Sequence, residues 1–190
     1  MLNLRVLDEA QITDLYEQKM RSDFPPSELK YLSSILNMVR MGVYDVLGAY
    51  DGEGRFAAYA LVYRPREGRI ALIDYLAVEQ GMRGNGIGSA LISCLRGYYA
   101  EAMDALMIEC ERPKSAPDEV EARRRISFYT RSGAVLTPVR IWLFGVEYSI
   151  LYLPCVKNLE KHDWAQQMLS LYRQMLPVEL YERNVRLLRG

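Results

Sequence analysis

A glycine-rich turn that joins a strand pattern to a helix pattern constrains the fold of this chain more than any other segment. Apolar residues dominate positions 69–78, the turn reads RGNGIG at positions 83–88, and apolar residues recur at helical spacing over positions 87–99. In such a turn the backbone N–H groups point outward with those of the first helical turn, and the helix dipole reinforces them. Glycine is favoured because a side chain would keep an anion at a distance. The segment predicts a phosphate site, with a tight turn that binds nothing as the simpler alternative.

The spacing of the glycines narrows the choice of phosphate ligand. Gly84, Gly86 and Gly88 do not form the GxGxxG pattern, and no Gly-Lys-Ser/Thr follows them. The strand before the turn ends a predicted antiparallel meander, whereas a dinucleotide-binding fold would begin a βαβ unit there. The turn is therefore predicted to belong neither to a P-loop nor to a Rossmann domain.

The periodicity of the apolar residues predicts one mixed α/β domain of order β-α-α-β-β-β-α-β-α-β-β, followed by extra helices. Asp8 and Ser27 are suited to cap the first two helices. The strand after helix 87–99 follows a helical crossover, so it is predicted to run parallel to the strand before that helix. The predicted strands cover residues 2–6, 44–50, 55–64, 69–78 and 105–111, with two more within 135–153, and the predicted helices cover residues 9–20, 28–41, 87–99, 119–131, 158–176 and 178–188.

The charge balance argues against several classes of partner. The 190 residues include 24 basic and 24 acidic side chains, so the formal net charge at pH 7 is zero. A broad polyanion-binding surface is not expected, and no nucleic-acid partner is predicted. No apolar run approaches the roughly 20 residues that span a bilayer, so no membrane partner is predicted. Residues 1–10 carry acids where a signal peptide has an apolar core, which favours a cytoplasmic location.

The cysteine and histidine content argues against metal-based and histidine-based chemistry. Cys94, Cys110 and Cys155 show no CxxC spacing and lie in apolar stretches, so buried free thiols are predicted. The only histidine, His162, lies in a polar run. Because one histidine without a cysteine or carboxylate cluster does not make a zinc site, no metal is predicted.

Two motifs in this order resemble those of the GNAT superfamily of N-acetyltransferases. The first, Arg/Gln-x-x-Gly-x-Gly/Ala, is matched by residues 83–88, which follow Leu-Ala-Val at the end of a strand. The second is matched by residues 128–134 (FYTRSGA), although the superfamily usually has phenylalanine where this chain has Ala134. The predicted element order also matches, through about residue 153. The resemblance implies a GNAT-like domain over residues 1–155 and a helical extension packed on it over residues 156–190.

The resemblance implies that acetyl-coenzyme A lies in an opening between two splayed parallel strands, residues 69–78 and 105–111. Backbone amides of the glycine-rich turn would bind the pyrophosphate, and the pantetheine would pair with the end of the first strand like an added strand. Arg83 would add positive charge near the phosphates, or it is a solvent-facing loop residue. The residues implied for cofactor binding are Leu76, Ala77, Val78, Arg83, Gly84, Asn85, Gly86, Ile87, Gly88 and Ser89.

Amine acetylation needs an acid for the leaving thiolate and a base for the amine. The resemblance implies Tyr129 as general acid, because a tyrosine with a pKa of about 10 is protonated at neutral pH; a core tyrosine is the alternative. Asp74 and Glu109 interrupt apolar strands, so either suits a general base. The alternative for both is a structural hydrogen bond or an ion pair with Arg112, Arg124 or Arg125. Glu111, on the same strand face as Glu109, is a weaker choice.

The implied function is transfer of an acetyl group from acetyl-CoA to a primary amine, by direct attack in a ternary complex. The acceptor is a small molecule or a peptide, and the sequence does not name it. A non-catalytic acyl-CoA-binding sensor or interaction module of the same fold is the alternative. Near the C-terminus, apolar residues at helical spacing are predicted to pack on the domain's own sheet, with a homodimer interface as the other option: Trp164, Met168, Leu171, Tyr172 and Met175.

Overall fold

The computed structural model describes residues 2–157, 159 and 161–188, which form two compact units. The first unit contains residues up to 66 together with 74–94, and the second contains residues 67–73 and those from 95 onward. The strands are β1 (Asn3–Val6), β2 (Tyr44–Tyr50), β3 (Phe56–Tyr63), β4 (Ile70–Val78), β5 (Ala105–Glu111), β6 (Val135–Leu143), β7 (Val146–Pro154) and β8 (Val185–Leu188). The main helices are α1 (Glu9–Leu15), α2 (Leu32–Arg40), α3 (Ile87–Tyr99), α4 (Glu119–Arg131), α5 (Trp164–Met175) and α6 (Val178–Asn184).

The sheet has the strand order β1-β2-β3-β4-β5-β7-β6-β8. Strands β4 and β5 run parallel and pair from Ile70–Ala105 to Ile73–Ile108, as the crossover through α3 predicts. The other pairings with a described register are antiparallel. From β1 to β7 the element order is the predicted one, and the mixed α/β fold class is confirmed. The domain boundary at residue 155 stays a prediction.

The helical segment after β1 begins at a sequence-encoded cap. The side chain of Asp8 accepts a hydrogen bond from the backbone of Gln11 at 2.9 Å, and the side chain of Gln11 accepts one from the backbone of Asp8 at 3.0 Å. This reciprocal pair satisfies two N–H groups that have no partner inside the helix. Helix α1 then continues through a π-helical segment, Tyr16–Met20, and a last turn, Arg21–Asp23.

The second helix starts later than predicted, and the prediction of Ser27 as its N-cap is wrong. Helix α2 begins at Leu32, with Tyr31 at the N-cap position. The preceding backbone is bonded to side chains from elsewhere in the first unit. The hydroxyl of Tyr75 donates to the carbonyl of Glu28 at 2.7 Å and accepts from the N–H of Lys30 at 2.9 Å. Since these backbone groups already have partners, the segment does not need helical hydrogen bonds.

Substitution of Tyr75 by phenylalanine is expected to destabilise the protein by about 1–3 kcal/mol, because two backbone groups lose a part-buried partner. The measurement is the shift of the urea unfolding midpoint. Tyr63→Phe is the matched control, because Tyr63 is 2 % exposed and its hydroxyl has no hydrogen-bond partner among the described residues. A midpoint shift in Tyr75→Phe no larger than the control's would contradict the structural role of this hydroxyl.

The second unit contains the predicted β6–β7 hairpin. Its turn residues, Phe144 and Gly145, both have positive φ, 47° and 94°, which gives the turn the twist that antiparallel strands favour. Helix α4 ends where the second motif places a glycine, because Gly133 has a φ of 99°.

The C-terminal region differs in part from the prediction. Asn158 and Glu160, inside the predicted helix 158–176, lie outside the described residues, and α5 begins at Trp164. The prediction of a helix over residues 178–188 is wrong after Asn184, because Val185–Leu188 forms β8 and pairs with β6. An available sheet edge thus overrides helix propensity. Helix α5 buries Met168, Leu171 and Tyr172 within the chain, which confirms internal packing for these residues. Every helix of the described residues is too short or too polar to cross a bilayer.

Candidate functional site

The glycine-rich turn has the backbone shape that the sequence predicts. Strand β4 ends at Val78, a 3₁₀ turn covers Gln80–Met82, and α3 begins at Ile87. Gly84 and Gly86 have φ values of 83° and 76°, a left-handed conformation that favours glycine. A Cβ placed at either residue would meet no described atom within 4 Å. A strand-to-helix turn with open space beside its glycines is suited to a phosphate group.

Arg83, predicted to add charge for the phosphates, is ion-paired within the first unit. One guanidinium nitrogen lies 2.9 Å from Oδ1 of Asp23, and Nε donates to the carbonyl of Val78 at 3.1 Å. The hydroxyl of Tyr59 donates to Oδ2 of Asp23 at 2.9 Å. Burial, followed by the bond to Asp23, raises the pKa of Tyr59, which keeps this donor protonated. Since Arg83 is 54 % exposed, its side chain can also reach solvent.

Asp23 lies in the last turn of the helical segment that follows α1, and a second ion pair connects that segment to Glu79, the residue just after β4. Nζ of Lys19 lies 2.6 Å from Oε2 of Glu79, and both side chains are 33 % exposed. The ammonium of Lys19 also lies 5.5 Å from the ring centroid of Phe56. The end of the helical segment that follows α1 is therefore bonded to the connection between β4 and α3 at two places, to Glu79 through Lys19 and to Arg83 through Asp23.

Asp74, one of the two candidate bases, has a lysine and a tyrosine as partners. Its side chain is 6 % exposed, and Oδ1 lies 2.8 Å from Nζ of Lys30. The hydroxyl of Tyr44, which is buried, donates a short hydrogen bond to Oδ2. The cation that compensates this carboxylate is thus Lys30, and no arginine takes that place in the ion pairs described for Asp74.

Glu109, the other candidate base, lies in the second unit and bonds to helix α5. The hydroxyl of Tyr172, on α5, donates to Oε1 of Glu109 at 2.6 Å. Arg112 pairs with Glu147 at 2.9 Å and Arg124 with Glu121 at 3.2 Å. These two arginines, which the sequence offered as partners for a strand carboxylate, therefore have other carboxylates beside them.

Tyr129 lies on α4 in the second unit. It is 8 % exposed, and its hydroxyl has no hydrogen-bond partner among the described residues. Burial, with a smaller effect of Cys110, raises the pKa of Tyr129 above its ordinary value. The hydroxyl is thus kept protonated at neutral pH, which is the state that a proton donor needs.

The thiols and the single histidine show no arrangement for nucleophilic or metal chemistry. All three cysteines are free, and burial raises the pKa of Cys110 to about 12 and that of Cys155 to about 11. A thiol of this kind is unreactive at neutral pH. Nε2 of His162 is buried without a hydrogen-bond partner among the described residues. The described part of the chain holds no group of three or more His, Cys, Asp or Glu side chains that could bind a metal ion.

The structure brings some predicted residues together and adds others. The turn residues, Arg83 and Asp74 belong to the first unit, whereas Tyr129 and Glu109 belong to the second. Sequence reasoning missed the polar partners of these groups, because each is distant along the chain and none lies in a motif. The missed partners are Asp23, Lys30, Tyr44, Tyr59 and Tyr172.

Known proteins resemble this chain in sequence motif and in fold. A model of the acetyltransferase (GNAT) family matches residues 10–133. A structure assigned to a GNAT-family acetyltransferase from Bacteroides thetaiotaomicron has a TM-score of 0.74 at 17% identity, covering 92% of this chain and 99% of that one. A spermidine N-acetyltransferase from Vibrio cholerae, in complex with CoA and spermine, has a TM-score of 0.62 at 12% identity, covering 80% of this chain and 95% of that one. At such identities the structural likeness shows the fold alone. No protein of curated function matches the sequence.

Proposed function

Because this chain belongs to the acetyltransferase (GNAT) family, we propose that it transfers an acetyl group from acetyl-CoA to a primary amine by direct attack in a ternary complex. The family membership confirms the prediction of an acyltransferase and of acetyl-CoA as the cofactor. The mechanism, the residues and the acceptor are the proposed part. The observation that carries the proposal is the turn before α3, with left-handed glycines at 84 and 86, inside the matched residues.

The cofactor would bind along the last part of β4 and the turn that follows it. Backbone groups of Leu76, Ala77 and Val78 would pair with the pantetheine as an added strand does. N–H groups over residues 83–89 would bind the pyrophosphate, with the dipole of α3 adding to the attraction. Arg83 would contribute its charge by exchanging Asp23 for a phosphate oxygen, since both interactions are charge-assisted.

The transfer step requires two proton movements: the attacking nitrogen loses a proton, and the leaving sulfur gains one. The amine nitrogen attacks the thioester carbon, the C–S bond breaks, and the leaving sulfur takes the proton of the Tyr129 hydroxyl. A backbone N–H near Leu76 or Ala77 would stabilise the charge on the thioester oxygen. Asp74 or Glu109 would accept the proton of the amine, and solvent returns a proton to Tyr129. Asp74 is favoured as the base because its carboxylate already binds an ammonium group.

The test is an assay of thiol release. Purified protein, acetyl-CoA and a panel of primary amines are combined, and free CoA thiol is measured with a chromogenic disulfide. We expect acceptor-dependent release, with the acetylated amine detected by mass spectrometry in equal amount. Saturable binding of acetyl-CoA without release for any amine would contradict the enzymatic proposal and favour a non-catalytic acyl-CoA-binding module.

A further inference from the structure

The carboxylate of Asp74 already binds an alkylammonium group, the end of the Lys30 side chain. Nζ of Lys30 lies 2.8 Å from Oδ1 of Asp74 and 5.3 Å from the ring centroid of Tyr75. Tyr44 donates its hydroxyl hydrogen to the other carboxylate oxygen. A desolvated carboxylate beside an aromatic ring is the combination that recognises an ammonium ion, through charge and through the ring's electron-rich face.

The two partners differ in exposure, and this difference allows exchange. The side chain of Asp74 is 6 % exposed, whereas that of Lys30 is 28 % exposed, so the lysine reaches a buried acid from the solvent side. A buried carboxylate needs a cation, but a flexible four-carbon side chain can leave and another cation can take its place.

The backbone of Lys30 is held independently of its ammonium group. Its N–H donates to the hydroxyl of Tyr75 at 2.9 Å, and its carbonyl accepts from the hydroxyl of Tyr16 at 3.0 Å. Movement of the Lys30 side chain away from Asp74 therefore does not break the bonds that position this loop.

We propose that the place beside the Asp74 carboxylate, now occupied by the ammonium group of Lys30, is the subsite for the acceptor's ammonium group. Lys30 is then a resident competitor, which the acceptor displaces. This inference rests on the proposed function. A primary alkylammonium ion, lysine-like in having an unbranched carbon beside the nitrogen, docks on Asp74 and loses one proton to solvent. The neutral amine that results can attack a thioester, and the Asp74 carboxylate accepts the second N–H proton as the amide forms.

With a resident competitor present, the apparent affinity for the acceptor is the affinity for the empty subsite multiplied by the fraction of time for which the subsite is empty. If Lys30 occupies Asp74 for about nine-tenths of the time, the acceptor binds about tenfold more weakly than to an empty subsite. Removal of the Lys30 side chain is therefore expected to lower the KM for an alkylamine by up to about tenfold.

Lys19 offers a matched control, because it makes the same kind of contacts at a more open site. Its ammonium also pairs with a carboxylate and lies near an aromatic ring, but that carboxylate, Glu79, is 33 % exposed. Water competes for an exposed pair, so removal of Lys19 is not expected to leave a site that binds alkylammonium ions.

The experiment measures thermal unfolding of the wild type, Lys30→Ala and Lys19→Ala in n-propylammonium chloride, against sodium chloride at equal ionic strength and without acetyl-CoA. We expect a saturable rise in Tm for Lys30→Ala, with a midpoint concentration about tenfold below that of any rise in the wild type, and no such rise for Lys19→Ala. The absence of a rise in Lys30→Ala, or an equal rise in Lys19→Ala, would overturn the subsite. Lys30→Ser is the second variant in case Lys30→Ala does not fold.

The binding readout separates this inference from the proposed function. A rise in Tm for Lys30→Ala, with no thiol release from any amine, would leave the ammonium site intact and contradict the enzymatic role. Thiol release with an unchanged acceptor KM in Lys30→Ala, and no rise in Tm, would support the enzyme and overturn the subsite.

Discussion

Replacement of Gly86 by valine is expected to abolish the thermal stabilisation that acetyl-CoA gives the wild-type protein. At a concentration 100 times Kd, a ligand stabilises a protein by about 2.7 kcal/mol, which corresponds to a rise in Tm of roughly 5–10 °C for a chain of this size. Gly86 has a φ of 76°, where a β-branched residue is strongly disfavoured, and its Cβ would enter the open space beside the turn. The measurement is the acetyl-CoA-dependent shift in Tm by differential scanning fluorimetry.

The control for this prediction lies just before the turn, in the 3₁₀ segment Gln80–Met82. A Cβ placed at Gly81 would also meet no described atom within 4 Å, but the φ of Gly81 lies outside the left-handed region. Gly81→Val is expected to keep most of the stabilisation by acetyl-CoA. If Gly86→Val responds to acetyl-CoA as strongly as Gly81→Val, the turn is not the phosphate site.

Replacement of Tyr129 by phenylalanine is expected to lower kcat by about 10²–10⁴-fold, the usual contribution of a general acid. The KM for acetyl-CoA should change little, because the hydroxyl is proposed to act on the leaving sulfur and not on the bound ground state. Steady-state kinetics with saturating amine measures both constants. Tyr63→Phe, which also removes a hydroxyl from a buried tyrosine, is expected to retain turnover.

The pH dependence gives a further check on Tyr129. A general acid acts only while protonated, so its contribution is lost as pH rises through its pKa. Since burial raises the pKa of Tyr129 above the ordinary value of about 10, no loss of kcat from this group is expected up to about pH 10. A descending limb with a midpoint well below that pH, absent in Tyr129→Phe, would assign the limb to Tyr129 and contradict the raised pKa. Equal kcat values for Tyr129→Phe and Tyr63→Phe would contradict the assignment of Tyr129 as the general acid.

The sequence predicts best those elements whose bounds depend on residues within or next to the element. Helices α3 and α4 have the predicted bounds, because their apolar spacing and, for α4, the Asp118 cap and the closing Gly133 lie within or beside the helix itself. The glycine-rich turn is also a local feature, since left-handed φ values at Gly84 and Gly86 depend on the residue type. For these elements, neighbouring residues supply nearly all the information that the chain needs.

The parts that sequence reasoning missed depend on contacts between distant residues. The start of α2 moves because the Tyr75 hydroxyl, 45 residues away from Lys30, bonds to the backbone. Residues 185–188 become a strand because β6 offers an edge to pair with. The Lys30–Asp74 pair joins positions 44 residues apart. No periodicity connects such positions, so a single sequence identifies the carboxylate but not its cation.

The π-helical segment Tyr16–Met20 sets the direction in which the last turn of its helix faces. A π-turn holds about one residue more than an α-turn, and each residue of an α-helix advances by about 100° around the axis. If the same residues formed a regular α-helix, Asp23 would rotate by about 100°, away from both Tyr59 and Arg83. A one-codon deletion in this stretch would therefore make the helix regular and keep its bond to the glycine-rich turn, whereas a one-codon insertion would break that bond.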